Sequence, residues 1–360
     1  MHIVISGYYG FDNVGDEAIL FSIITALKRK QPDIKVTVLS NNPEATKNLY
    51  KVDAVNRHRI NDIIRVIKVS DGLISGGGSL LQDATGIKSI PYYTGIIQLA
   101  RVYKKPVFIY AQGIGPINRT FCKRLVAMTL NKVNRITVRD WGSKQFLQQI
   151  GVKQETTIAP DPVLGLDSSS FEYNGMLPDN PFIAVSVRSW STDTYYKRKI
   201  ASCLDKLASD GYSILFVPMH GAHDEIASQE TAAEMKASSQ IISGQLSMQE
   251  KIAIIGKSKL LIGMRLHALI FSAIAYTPFI AISYDPKIDA FASIFDQGVV
   301  GHVAKDDWDG TTLYEHTRKK LENRMQVTDI LKDRVKGFQE DAVNTAELAL
   351  ETFAADNEYI

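Results

Sequence analysis

Short, continuous apolar runs alternate along this chain with longer segments whose apolar residues recur every three or four positions. "HIVISG" leads into "GDEAILFSIITALKRKQP", where Ile19, Ile23, Ala26 and Leu27 share one helical face. Lys28, Arg29 and Lys30 crowd the end of that helix, where the dipole favours cations. "IKVTVLS", "DGLISG", "PVFIYAQ", "RITVRD" and "TTIAPDP" repeat the apolar run, with helical patterns between them. Strands that are apolar throughout belong to a parallel sheet covered on both faces. At "GLDSSSFEYNGMLPDNP" the texture turns polar, and a second series then runs through "FIAVSVRSW", "YSILFVPMH", "QIISG", "LLIGM" and "PFIAISY". The pattern predicts an α/β protein of two doubly wound domains, residues 1–166 and 181–310, with a linker at 167–180. A helical segment, 311–360, is expected to pack back on the first domain.

Composition narrows the class. With 360 residues, 45% of them hydrophobic and 22% charged, the chain has ordinary globular character, and a net charge of +2 gives no reason to expect nucleic acid as a partner. Cys122 and Cys203 lie far apart without metal-ligand spacing, which suits a reducing compartment. The N-terminus reads as a first core strand, not a signal peptide. No run approaches the roughly 20 apolar residues of a membrane span; the nearest, "LHALIFSAIAYTPFIAI", is split by Pro278. A cytoplasmic protein is expected, with transient contact at the inner face of the membrane left open.

Doubly wound domains hold ligands beyond the carboxyl ends of their strands, so residues there carry the candidate chemistry. In the first domain these are the glycine turns "GYYGFDNVGDEA" with Gly10 and Asn13, "LISGGGSLLQD" with Gly76, Gly77 and Gly78, and "YAQGIGP" with Gln112. Such turns expose backbone N–H groups to anions or sugar hydroxyls, or are simply tight loops. Arg139 either pairs with Asp140 or clamps an anion. Asp161, between two prolines, is a general base or a cap. In the second domain Arg188, Arg265, His267 and Lys287 fall on one rim. Cations collect beside an apolar core only where an anion offsets their repulsion and desolvation. His220 and His223 raise a metal question, but no carboxylate partner stands at metal-site spacing and no metal is expected.

Taken in order, "GYYGFDNVGDEAIL", "GLISGGGSLLQD", "QGIGP", "VRD", "PDPV", "GMRLHALIFSA" and "YDPK" resemble the polysaccharide pyruvyl transferase family, most closely the CsaB-type enzymes of bacterial cell-wall polymer assembly. The resemblance covers nearly the whole chain. It implies a GT-B-like fold, two Rossmann-like domains facing a cleft. It also implies phosphoenolpyruvate as donor and, as acceptor, a lipid-diphosphate-linked saccharide such as an N-acetylmannosamine unit. The family's donor residues map onto Arg139, Arg265, Leu266, His267 and Lys287, with Arg188 added from its strand-end position. His267 is then the expected general acid, Arg265 the anion clamp and Asp161 a base. Gly10, Asn13, Gly76, Gly77, Gly78 and Gln112 are the expected acceptor contacts. No cofactor is implied. Two rivals remain: a nucleotide-sugar glycosyltransferase of the same fold, with Asp289 as ribose partner, and a non-catalytic protein that binds an anionic saccharide.

Overall fold

The computed structural model describes residues 1–84, 86–192 and 195–357. These fall into two compact units, Met1–Gly165 with Phe338–Ile360, and Leu166–Gly337.

In the first unit, strands β1 (His2–Ser6), β2 (Lys35–Ser40), β3 (Asp53–Asn56), β4 (Gly72–Ser75), β5 (Val107–Gln112), β6 (Arg135–Val138) and β7 (Thr156–Ile158) form a seven-stranded sheet. Between them run helices α1 (Val14–Lys30), α2 (Pro43–Tyr50), α3 (Ile60–Val69), α4 (Ser89–Val102), α5 (Thr120–Leu130) and α6 (Trp141–Gln149). Every pairing is parallel, in the order β3-β2-β1-β4-β5-β6-β7. The apolar runs explain this: β5 is buried at all six positions, which only a strand covered on both faces can be.

The second unit repeats the scheme with β8 (Phe182–Ser186), β9 (Ser213–Phe216), β10 (Gln240–Ile241), β11 (Leu260–Gly263), β12 (Phe279–Ser283) and β13 (Gly298–His302). Its helices are α7 (Tyr196–Ser209), α8 (Gly221–Ala233), α9 (Met248–Lys257), α10 (Leu266–Ile274), α11 (Pro286–Ile294) and α12 (Gly310–Glu322). The six-stranded parallel sheet has the order β10-β9-β8-β11-β12-β13. The polar tract after Leu166 belongs to this unit. Ser168 Oγ donates to the Ile274 carbonyl at 2.7 Å, and Lys257 Nζ to that of Tyr173 at 3.3 Å.

Helix α13 (Arg324–Asn357) closes the chain. Ala342, Ala346, Ala349 and Phe353 are buried, and Phe353 seats on β4 at Gly72. A Cβ there would stand 2.4 Å from the Phe353 ring, so glycine is what lets the helix dock. Strand order reverses direction between β1 and β4 in one sheet and between β8 and β11 in the other. These switch points open the crevices in which such sheets hold ligands.

Candidate functional site

At the switch point of the second unit, Met264 N donates to the Ser186 carbonyl at 2.8 Å and holds the ends of β8 and β11 side by side. Arg188 follows β8 by two residues, Arg265 is the N-cap of α10, and Leu266 and His267 open that helix. The carboxylate that meets Arg265 comes from α8. Asp224 accepts from Arg265 Nε at 2.9 Å and from Nη2 at 2.5 Å, and from the Met219 N–H at 3.2 Å. It is 1% exposed. A fork-to-fork pair of this kind fixes the guanidinium plane as well as its charge. So the rim is less cationic than its arginines and lysine suggest, because its central arginine is neutralised from within the chain. Asp224 was missed in the sequence; an acidic residue in the first turn of a helix reads there as a favourable dipole partner.

His220 lies beside this pair. Burial first, and then the Arg265 charge, hold its imidazole below the ordinary value; Asp224 opposes, and His223 and Arg188 add to the depression. Arg188 stacks on Tyr284, its guanidinium carbon 4.5 Å from the ring centre, and sits 5.3 Å from that of Trp190. Its Nε is buried without a hydrogen-bond partner among the described residues. Lys287 Nζ lies 5.8 Å from the same Tyr284 ring and pairs with Asp285 at 2.9 Å. Asp285 also caps α11 through the Lys287 N–H. Arg188 and Lys287 thus share the Tyr284 ring, while Arg265 is held by Asp224, with Leu266 buried and His267 half-buried on the first turn of α10. Asp289, the ribose partner a glycosyltransferase would need, is engaged by Ser283 Oγ at 2.5 Å and His302 Nε2 at 2.9 Å. Among the described residues no group of three His, Cys, Asp or Glu side chains could hold a metal ion.

In the first unit, the turns after β4 and β5 are tied together. Gly113 N donates to the Gly78 carbonyl and Gly115 N to that of Leu81, both at 2.9 Å. What approaches these glycines is the chain itself. A Cβ at Gly76 would lie 2.1 Å from Tyr9 Oη, and one at Gly113 would lie 2.6 Å from Arg139 Nη2. Gln112 corrects an expectation: it is fully buried, and its amide donates to Ser75 Oγ at 2.7 Å and the Gly76 carbonyl at 2.8 Å. It braces the loop and is closed off from an acceptor. Asn13 caps α1, accepting from Gly15 N at 3.2 Å, and Gly10 N donates to Glu17 Oε1 at 2.7 Å. Burial raises the Glu17 carboxyl, against the opposing bonds from Tyr50 and Gly10.

Arg139 and Asp161 belong to this unit. Arg139 Nη2 donates to Ser79 Oγ at 2.9 Å, while Asp161 and Asp140 lie 3.4 and 3.7 Å from the guanidinium. Asp161 also caps the short turn Pro162–Gly165, accepting from Val163 N at 3.2 Å. Arg139 is thus paired within the chain, and Asp161 serves as a cap. Sequence reasoning also missed Arg57, just past β3. It is 6% exposed, donates to the Gly7 carbonyl at 3.0 Å, and lies 4.3 Å from the Tyr92 ring centre and 5.1 Å from that of Phe11. Phe11 in turn stacks on Tyr8, with centroids 4.1 Å apart and planes within 4°. Only the tertiary fold brings residues 8, 11, 57 and 92 to one sheet edge.

Two parallel Rossmann-like sheets of this kind define the GT-B-like class. Solved structures agree: Alr3699/HepE of Anabaena, determined with UDP-glucose, has a TM-score of 0.67 at 10% identity, covering 99% of this chain and 100% of that one. The UDP-GlcNAc 2-epimerase of Neisseria meningitidis, determined with UDP-GlcNAc, has a TM-score of 0.66 at 11% identity, covering 99% and 100%. Within that class, residues 13–286 match the family described as polysaccharide pyruvyl transferase, and the chain belongs to it. The amylovoran biosynthesis protein AmsJ of Erwinia amylovora is 20% identical over 353 residues, 80% of this chain and 84% of that protein.

Proposed function

We propose that this protein transfers the enolpyruvyl unit of phosphoenolpyruvate to a saccharide, forming a pyruvate ketal and releasing phosphate. Arg188 and Lys287 at the Tyr284 ring, with Arg265 at the N-cap of α10 just past β11, all at the switch point of the second unit, carry this reading. Phosphoenolpyruvate places a carboxylate and a phosphate on one small enol, and this rim offers the Arg188 fork together with Arg265 and Lys287, each of these two already facing one carboxylate of the chain. The buried, unbonded Nε of Arg188 is suited to an acceptor oxygen of the ligand.

In the proposed reaction His267 protonates the methylene carbon, leaving C2 as an oxocarbenium-like centre. One sugar hydroxyl adds there and a second displaces phosphate, so the ketal contains both sugar oxygens and no water is consumed. Arg265, held in plane by Asp224, and Lys287 stabilise the departing phosphate. Within the first unit, Arg139 is proposed as an anion-binding guanidinium and Asp161 as a base. Gly10, Asn13 and the Gly76–Gly78 turn, with the Tyr8–Phe11 stack, are proposed to receive the acceptor, since aromatic faces suit sugar rings. We assign the acceptor to a lipid-diphosphate-linked cell-surface polysaccharide precursor; the match to the polysaccharide pyruvyl transferase family supports the broader class.

Incubation with phosphoenolpyruvate and synthetic lipid-linked disaccharides tests this. Phosphate release matched by a product heavier by one pyruvate less one water is expected. Transfer from a UDP-sugar, with phosphoenolpyruvate inert, would overturn it.

A further inference from the structure

We propose that α5, with Ile87 and Lys88 just before α4, is a docking face for an anionic bilayer surface. The observation is a segregation of charge. Between Ala84 and Arg139 the chain has ten lysines and arginines and no aspartate or glutamate, whereas the whole chain holds 41 basic against 39 acidic residues. Outside this segment the protein is net negative. Not all ten face solvent, since Arg139 is paired with Asp161 and Asp140, but Lys88, Arg119 and Arg124 are exposed, and the same stretch holds large apolar side chains that the core does not claim. Ile87, Phe121 and Met128 are 54, 67 and 65% exposed.

The fold brings these together. Phe121, Arg124 and Met128 stand at positions i, i+3 and i+7 of α5 and are all exposed, while Cys122, Val126 and Leu130 face the core. Asp83 accepts from the backbone N–H of Asn118 at 2.8 Å and of Arg119 at 2.9 Å, the residues that lead into α5. The face so proposed sets these apolar tips beside Lys88 and Arg124, with Arg119 partly answered by Asp83 at 3.7 Å. Basic residues draw a protein toward anionic headgroups over about a Debye length, and apolar side chains then insert at the boundary. Charge complementarity commits the face to this occupant: a second copy would set one cationic stripe against another.

The surface alone carries this inference, which does not rest on the pyruvyl transfer chemistry. The test is flotation of the whole protein with vesicles of phosphatidylcholine, alone or mixed with phosphatidylglycerol, at low and high salt. Binding to the anionic vesicles at low salt and release at high salt are expected. Lys88→Gln with Arg124→Gln should weaken that binding about 25-fold, near fivefold per charge. Phe121→Ser with Met128→Ser should weaken it without altering salt dependence. All these positions are exposed, so melting temperatures and turnover on a soluble acceptor should match wild type. Equal binding to neutral vesicles, no binding at all, or indifference to both double variants would overturn the proposal. So would a dimer in solution that Phe121→Ser dissociates. Vesicle binding needs no catalysis, so failure here leaves the proposed reaction standing, and the converse.

Discussion

Asp224→Ala would strand the Arg265 guanidinium at the end of β11 without the carboxylate that meets it through both Nε and Nη2. Asp224 is 1% exposed and the Arg265 side chain 18%, so water reaches only one partner. Breaking a buried pair by removing one member costs about 3–5 kcal/mol, and the partial exposure of Arg265 favours the lower figure. For a unit of this size, about 3 kcal/mol corresponds to a melting temperature lower by about 6–12 °C. Calorimetry at neutral pH would measure it, with the KM for phosphoenolpyruvate followed in parallel. A second variant separates stability from function. Asp224→Leu with Arg265→Met replaces the pair by apolar groups, which is often neutral for stability. It should recover most of the lost melting temperature but, lacking Arg265, show no turnover. Asp224→Ala melting within about a degree of wild type would show that the pair contributes nothing. Turnover by the double variant would remove Arg265 from the donor site.

Other consequences follow from single residues. His267→Asn should lower kcat by about 100-fold or more while phosphoenolpyruvate still stabilises the protein against heat; near-normal turnover would end its role as acid. Burial pushes Lys251 and Lys320 down to about 8, so between about pH 8 and their unfolded value near 10.5 the unfolded chain holds more protons than the folded one. Denaturant midpoints of the second unit should therefore rise with pH across that window, and Lys320→Met should flatten the rise. Gly76→Ala would drive a methyl into Tyr9 Oη, and both melting temperature and turnover should fall; retention of both would show that the turn can yield. Removing residues from Phe338 onward strips Phe353 and three buried alanines from the first unit, and its unfolding should move to clearly lower temperature.

The alternation of apolar runs and helical patterns was enough to establish the α/β class, two parallel sheets and the strand ends at which Arg188, Arg265, Lys287 and the glycine turns lie. Those features depend on local periodicity, and a continuous run such as "VFIYAQ" has one stable use, a strand covered on both faces. What answers Arg265 was decided by tertiary structure. Asp224 stands 41 residues away on α8, and its carboxylate arrives because β9 pairs with β8, which pairs with β11. Likewise Gln112 turned inward to brace Gly76, and Arg57 gathered Phe11 and Tyr92, through strand order alone. Pairings between side chains distant in sequence depend on which strands become neighbours. That order is settled by the burial of whole faces and by crossover handedness, neither of which is carried by a residue and its near neighbours.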